Sequence, residues 1–184
     1  MAPEQTESSD IQSENKGMFS IEDGWYVALQ GFKGETYVHV RQYVVTTKRL
    51  IPTKKGVGLR LDQWKRFELY KKEIQEEAKK AKEGEETDRT WHLGNNWFVT
   101  VNSDFPGVDF RRFYLPEDAT EIRATKRGVF VPFQRFERLA GVVDVIPMFV
   151  SEVSDFVPCF MRDDHQNQAG QLDCKECNPN GQAD

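Results

Sequence analysis

The sequence predicts an α+β fold in which a small strand-rich unit that ends in a helix occurs twice in tandem, with disordered segments at both ends. Apolar and polar residues alternate through the first third of the chain, a pattern typical of half-buried strands. A long amphipathic segment follows and indicates a helix. The whole pattern then recurs further along the chain, which is the signature of an internal repeat.

The first segment of the chain, residues 1–17, is predicted to be disordered. Residues 1–16 contain no aromatic side chain, and Met1 and Ile11 are their only large apolar residues. Such a segment buries too little apolar surface to offset the entropy lost on folding. Ordered patterning begins near Met18, so the first repeat is placed at 18–83.

Strands and turns alternate through the first repeat. Strands are predicted at Trp25–Gln30, Thr36–Tyr43 and Val57–Leu59, and turns at Gly31–Gly34 and Pro52–Gly56, where glycine and proline favour a reversal. Four side chains of the middle strand share one face, because side chains alternate along a strand: Tyr37, His39, Arg41 and Tyr43.

A helix is predicted from about Leu61 to Lys82, followed by a polar linker at 84–89. Six apolar residues recur at helical spacing and form one stripe: Trp64, Phe67, Tyr70, Ile74, Ala78 and Ala81.

The second repeat, placed at 90–150, follows the first with local changes. Trp91–Val101 matches Phe19–Leu29, and Thr125–Val129 matches Thr53–Val57 at an offset of 72, since 125 − 53 = 72. Prolines limit the second helix to about 10–14 residues, because proline breaks helical hydrogen bonding. They are Pro132 and Pro147.

The hairpin of the second repeat is shorter than that of the first. Phe32 and Arg41 are nine positions apart, whereas Phe105 and Arg111 are six apart. We therefore expect Phe105 to be displaced from the position that Phe32 has in the first repeat.

Charge is unevenly distributed along the chain. The formal net charge is −5, but Gln30–Arg60 carries 7 − 1 = +6 and Leu139–Asp184 carries 2 − 8 = −6. The last segment, 151–184, is predicted to be a largely disordered acidic tail. A basic body with an acidic tail is compatible with nucleic-acid binding despite the negative sum.

Targeting and membrane signals are not evident in the sequence. The N-terminus lacks the basic and apolar regions of a secretory signal, and no apolar run is long enough to cross a bilayer. Three cysteines, all after Phe156, do not resemble a secreted disulfide framework. We expect a protein of the cytosol or nucleus with no membrane partner.

Catalytic motifs are also not evident. The three histidines, His39, His92 and His165, are scattered, and none accompanies a nucleophile in a known motif. No glycine pattern resembles a phosphate-binding loop of a nucleotide enzyme. We predict a protein that is not an enzyme and uses no cofactor.

Both repeats carry two adjacent cations followed by a glycine. The motifs are Thr53-Lys-Lys-Gly56 and Thr125-Lys-Arg-Gly128. Two cations beside free amides favour a phosphate contact, and an aromatic residue at each hairpin offers a platform for a base. Basic turns are also common as plain solvated turns, but their recurrence in both copies favours binding of single strands.

Residues 19–67 closely resemble the positive cofactor four family of single-stranded-DNA-binding transcriptional coactivators. The resemblance lies in Phe32-Lys-Gly34, Arg41-Gln-Tyr43, Pro52-Thr-Lys-Lys-Gly-Val-Gly-Leu59 and Gln63-Trp64. It implies a β-β-β-β-α unit that pairs through its helices, binds single-stranded or melted DNA on its sheet and assists RNA polymerase II. Two copies in one chain then imply an intrachain pseudo-dimer, a monomer in solution and a nuclear location.

The resemblance also implies the residues that contact nucleic acid. They are Phe32, Lys33, Arg41, Tyr43, Lys54 and Lys55 in the first repeat, and Phe105, Arg111, Tyr114, Lys126 and Arg127 in the second. The family usually has a stacking aromatic residue three positions after the arginine. The first repeat has Val44 at this position, whereas the second has Tyr114. Two alternatives stay open: single-stranded RNA as the ligand, and a protein-interaction scaffold with a degenerate nucleic-acid site.

The tail contains a candidate set of metal ligands, although no metal is predicted. Cys174 and Cys177 have the spacing of a zinc knuckle, and Cys159 and His165 supply two further ligand types. The gaps between them are unusual, and nearby glycine and proline suit a disordered tail equally well.

Overall fold

The chain forms two four-stranded antiparallel sheets, each followed by a helix. A computed structural model describes residues 14–165 and 167–181. The strands run in sequential order in each sheet, which confirms the two tandem β-β-β-β-α units. The elements are β1 (Glu14–Glu22), β2 (Trp25–Phe32), β3 (Glu35–Val45), β4 (Leu50–Arg60), α1 (Leu61–Lys82), β5 (Asp88–Gly94), β6 (Trp97–Asn102), β7 (Gly107–Tyr114), β8 (Arg123–Pro132), α2 (Phe133–Phe149), α3 (Ser151–Asp155) and α4 (Gln168–Asp173), with 3-10 turns at Cys159–Met161 and Asp163–His165.

The first strand begins earlier than predicted. We expected order from Met18, but β1 starts at Glu14, which pairs with Gly31 of β2. Lys16 contributes to this extension, because its ammonium donates to the Thr36 hydroxyl at 2.8 Å and to the Glu152 carboxylate at 2.6 Å. The remainder of the predicted disordered segment, residues 1–13, lies outside the described residues.

The predicted turn at Pro52–Gly56 is wrong, because these residues lie within β4. The reversal occurs earlier, where the backbone N–H of Thr46 donates to the Arg49 carbonyl at 2.9 Å. Gly56 has φ +152, and a Cβ there would lie 2.5 Å from the Val40 carbonyl oxygen. The glycine therefore permits close approach of β3, beside the irregularity in its pairing with β4.

The second unit repeats this close approach. A Cβ on Gly128 of β8 would lie 2.6 Å from the Phe110 carbonyl oxygen of β7, and the pairing is irregular between Arg111 and Phe113. The glycine of each basic motif is thus required by the close approach of the neighbouring strand. The cations of the motifs project from strands and not from turns.

A single hydrophobic core joins the two units. The Phe67 ring of α1 lies 5.2 Å from Phe110 of β7 and 6.4 Å from Phe136 of α2, measured between ring centroids. On the other side, Phe149 of α2 lies 6.0 Å from Phe19 of β1. Because each helix contacts the sheet of the other unit, the units form the predicted intrachain pseudo-dimer.

A buried polar joint fixes α1 against β5. Glu77 accepts hydrogen bonds from the Thr87 hydroxyl at 2.6 Å, from Lys80 at 2.8 Å and from Arg89 at 3.4 Å. These bonds satisfy a carboxylate that would otherwise be costly to bury. The short connection between the units therefore packs against the helix that precedes it.

The second helix is longer than the predicted 10–14 residues. It spans 17 residues, Phe133–Phe149, with Pro147 inside it. Pro147 lies in the last turn, so its missing N–H interrupts only the end of the hydrogen-bond ladder. Val150 caps the end of the helix, and its N–H donates to the Ile146 carbonyl at 2.9 Å.

The tail, which we predicted to be largely disordered from residue 151, contains α3, both 3-10 turns and α4. It is held by long-range contacts, since the backbone N–H of Cys159 donates to the buried Asp62 carboxylate at 2.8 Å. The polar composition of the tail predicted less order than the structure has. The tail has no core of its own and is held by side-chain contacts with the two units. Residues 166 and 182–184 lie outside the described part, in which no helix is long and apolar enough to span a membrane.

Candidate nucleic-acid interface

The open face of the first sheet carries the predicted arginine and hairpin phenylalanine. Val38 and Val40 point into the core, so Arg41, which alternates with them, lies on the opposite face. Tyr26 is its cross-strand partner. Phe32 shares this face because it is six residues beyond Tyr26 along an uninterrupted strand pairing.

Each arginine is held by the threonine that opens the basic motif. Arg41 Nη1 donates to the Thr53 carbonyl at 2.8 Å, and Arg111 Nη1 donates to the Thr125 carbonyl at 2.9 Å. Each threonine hydroxyl in turn donates to a main-chain carbonyl of the neighbouring strand. The same bonds at equivalent positions show that the two units share their local structure at these motifs.

The two basic motifs meet across one cleft. This cleft, with a volume of about 300 Å³, lies between β4 and β8. None of the described residues that line it is acidic, so four cations face it without a local counter-charge. Its lining consists of Arg41, Lys54, Gly56, Val57 and Gly58 of the first unit, and Trp97, Lys126, Arg127 and Gly128 of the second. We name it the basic cleft.

Three further predicted residues of the first unit lie around the hairpin and the strand edge. Phe32 is 42% exposed, and Lys33 Nζ lies 5.4 Å from its ring centroid. Lys55 is exposed but is not among the lining residues of the basic cleft. A base stacked on Phe32 would therefore lie beside a cation.

The Tyr43 ring is buried. It is 7% exposed and packs edge-on against Tyr26, with ring centroids 5.5 Å apart. The second unit has an equivalent pair, Phe98 and Phe113, at 4.9 Å. The Tyr43 ring therefore supports the sheet face and is not open to a stacking base.

The second unit has an apolar groove on the corresponding face. The groove has a volume of about 510 Å³, and Phe105 at its edge is 61% exposed. Although the hairpin is shorter, Phe105 and Arg111 both line this groove, so the two predicted residues remain on one surface. Phe113 and Phe130 supply further aromatic lining.

The arginine of the second unit is neutralised by a carboxylate. Arg111 Nε and Nη2 donate to the two oxygens of Asp109, both at 2.9 Å. Asp109 was not among the predicted site residues. Its position two residues before Arg111 on one strand was the available signal, since such residues share a face. The first unit has His39 at the equivalent position.

Both sheet histidines are uncharged at neutral pH. Burial lowers the pKa of His39 to about 4, with a further contribution from the charge of Arg41. Burial also lowers the pKa of His92 to about 4, with the charge of Arg66 adding to the effect. Neither imidazole therefore adds a positive charge to the sheets under physiological conditions.

The remaining predicted residues lie elsewhere. Tyr114 is 47% exposed at the end of β7 and does not line the groove, and Val44 of the first unit has the same exposure. The four candidate metal ligands lie close together in the tail, and none of them lines the basic cleft.

Comparison with known proteins shows what the first unit is similar to. Residues 21–68 match the model of a family described as Transcriptional Coactivator p15 (PC4). A relative from Caenorhabditis elegans, named "Putative RNA polymerase II transcriptional coactivator", is 33% identical over 54 residues. Those residues are 28% of this chain and 44% of the relative, and no solved structure matches the chain. The first unit is thus similar in sequence to the domain of this coactivator family.

Proposed function

We propose that this protein binds single-stranded DNA in the basic cleft and acts as a nuclear coactivator of RNA polymerase II transcription, without enzymatic activity. One observation supports the binding proposal above all others. The two basic motifs, 72 residues apart in sequence, face one cleft whose described lining has no acid. The family of the first unit and the name of its relative support the transcriptional part.

The chemistry of the cleft suits a phosphate backbone. Lys54 and Arg41 from one side and Lys126 and Arg127 from the other neutralise adjacent phosphates, and the released counterions favour binding. Exposed Phe32 and Phe105 offer stacking platforms beyond the cleft. Stacking requires unpaired bases, so this arrangement favours single strands over duplex.

A protein-interaction scaffold is the second candidate. It is favoured by the Asp109–Arg111 pair, which removes a free cation from the second unit, and by the exposed apolar groove beside that pair. In this case the second unit is a packing partner for the first and a docking surface for a protein.

The test is the removal of the first basic motif. We expect Lys54→Ala/Lys55→Ala to weaken binding of all single strands alike and to reduce the salt slope by about 1.4. This takes about 0.7 for the phosphate at Lys54 in the cleft and about 0.7 for the next phosphate, which lies outside the cleft at exposed Lys55. Filter binding to single-stranded DNA, single-stranded RNA and duplex at several salt concentrations measures both quantities. The comparison of DNA with RNA also decides which single strand is preferred.

The matched control removes two exposed lysines from the outer surface of α1. Lys79→Ala/Lys82→Ala changes the net charge equally but leaves the cleft intact, so binding should change little. If both double variants bind as the parent does, the cleft is not the site. A parent without preference for single strands over duplex would instead support the scaffold.

Substitution of Phe32 separates stacking from charge. Phe32→Ala should cost about 1–3 kcal/mol of binding free energy with little change in the salt slope, because no ionic contact is lost. An altered slope with unchanged affinity would contradict a stacking role for this ring.

A further inference from the structure

We propose that the tail contains a structural zinc site with Cys159, His165, Cys174 and Cys177 as ligands, and that the metal fastens the tail across both units. Each of the four side chains offers one ligand atom, and these atoms all lie within 4.8 Å of one another. The site is independent of the basic cleft and of nucleic-acid binding.

The distances between ligand atoms are close to those of a tetrahedral zinc centre. With Zn–S bonds of about 2.3 Å, two sulfurs of a tetrahedron are about 3.8 Å apart. The Cys159 and Cys177 sulfurs are 3.6 Å apart. A small movement of the remaining ligands then completes the tetrahedron, and three cysteines with one histidine are a common ligand set of structural zinc.

His165 is prepared as a ligand by its surroundings. It is 7% exposed, although histidine is polar. Its Nδ1 lies 3.3 Å from the Asp164 carboxylate, the contact that often orients a metal-bound imidazole through its other nitrogen. Its Nε2 is buried and has no hydrogen-bond partner among the described residues. A metal ion would satisfy this atom.

The Cys174–Cys177 segment has the local geometry of a zinc knuckle. The two cysteines are separated by two residues, the spacing found in zinc knuckles. The turn is closed by the N–H of Asn178, which donates to the Cys174 carbonyl at 2.8 Å.

An arginine from α1 compensates the charge of the centre. Three thiolates and one zinc ion carry a net charge of −1. Arg66 Nη2 contacts the Cys177 sulfur at 2.6 Å and lies 3.9 Å from the Cys159 sulfur. Its guanidinium also lies over the Phe160 ring at 4.9 Å from the centroid, which holds it in place.

The residues around the cysteines contact both units. Glu176 pairs with Arg60 of the first unit at 2.8 Å, and its carbonyl accepts from the Asn95 N–H of the second unit at 2.8 Å. Asn180 exchanges side-chain hydrogen bonds with Asn96, at 3.1 and 3.3 Å. Zinc bound here would therefore connect the tail, α1 and the β5–β6 turn.

The experiment measures metal content in the full chain. Protein purified under reducing conditions without chelator, and then supplied with zinc and desalted, should contain one zinc per chain. Cys174→Ser/Cys177→Ser should lose it, whereas Lys175→Ala, between the two cysteines, should retain it. Thermal melting and single-strand binding confirm that the sheets remain folded, because none of the ligands lines the basic cleft.

Cobalt substitution tests the ligand set itself. The cobalt form of the parent should show the visible bands of tetrahedral coordination and a thiolate charge-transfer band, and His165→Ala should change the former while keeping the latter. Reduced parent protein that holds no stoichiometric zinc after supply of the metal would overturn the proposal. So would a Cys159–Cys177 disulfide in protein handled without oxygen.

Discussion

At the scale of single residues, the two units differ in charge two positions before the arginine of the sheet. His39 of the first unit is uncharged, whereas Asp109 of the second makes a two-bond ion pair with Arg111. Such a pair leaves the arginine less able to contact a phosphate. Asp109 therefore makes the open face of the second sheet less positively charged than that of the first.

Removal of this carboxylate should strengthen binding. We expect Asp109→Asn to free Arg111 for one additional phosphate contact, with tighter binding of single strands and a salt slope steeper by about 0.7. Fluorescence titration with a labelled oligonucleotide at several salt concentrations measures both. Asp104→Asn, in the exposed β6–β7 turn, removes the same charge without releasing Arg111 and is the control. Equal effects of the two variants would show that only net charge matters.

At the scale of secondary-structure elements, α1 holds the two units together although it belongs to the first by sequence. Its Phe67 packs on Phe110 of β7, and its Glu77 is bonded to Thr87 and Arg89 at the start of the second sheet. The hydrogen bonds of Glu77 fix the position of α1 against the second sheet, because they require a set direction and distance. The aromatic contacts bury the apolar surface that stabilises the pairing.

The polar joint predicts a loss of stability in acid. The hydrogen bond from Lys80, followed by that from Thr87, lowers the pKa of Glu77 to about 2 from the ordinary 4.5. A folded-state pKa below the unfolded value means that this stabilisation is present above pH 4.5 and is lost as the pH falls toward 2. Thermal melts between these limits should show a steep decline in the parent.

The variant Glu77→Gln isolates this contribution. It should melt at a lower temperature than the parent at neutral pH, and its decline in acid should be shallower because one shifted carboxyl is absent. Glu76→Gln, on the exposed side of the same helix, should keep the steep decline of the parent. Identical acid profiles for the parent and Glu77→Gln would mean that other carboxyl groups control acid stability.

At the scale of the whole molecule, one chain supplies both halves of a paired architecture. The surfaces of α1 and α2 that face each other are buried within the chain, with Trp64, Phe67 and Phe136 fully enclosed. These helix faces are therefore not open for pairing with a second chain. The short connection between the units also keeps their effective concentration high.

We therefore predict a monomer in solution. Light scattering should give a mass near 21.3 kDa that does not change on dilution. A dimer that persists at low concentration would indicate that the units pair between chains, which would require α1 and the second sheet to separate. Polar contacts such as that of Lys71 with Asp144, which joins the two helices, oppose this separation.

The sequence by itself determined several strands and the long helix of the first unit, because alternation in strands and helical spacing are local patterns. Thus α1 spans Leu61–Lys82, as its apolar stripe predicts. The repeat likewise predicted two units of one fold. The basic motifs were assigned to turns on their proline and glycine, but Gly56 serves a close strand contact that depends on β3. The conformational propensity of the residues around Gly56 does not predict a contact with another strand.

Only the tertiary structure decided which charged groups face each other. Lys54 and Lys126 line one cleft because each helix packs on the sheet of the other unit, a relation between segments 72 residues apart. The four candidate metal ligands also come together through contacts between distant segments. Asp62 holds Cys159 and Arg60 holds Glu176, and both of these anchors lie near the start of α1. The composition of this tail predicted disorder. Composition does not reveal the stabilising contacts, because individual side chains of the tail make them with residues far away in the sequence.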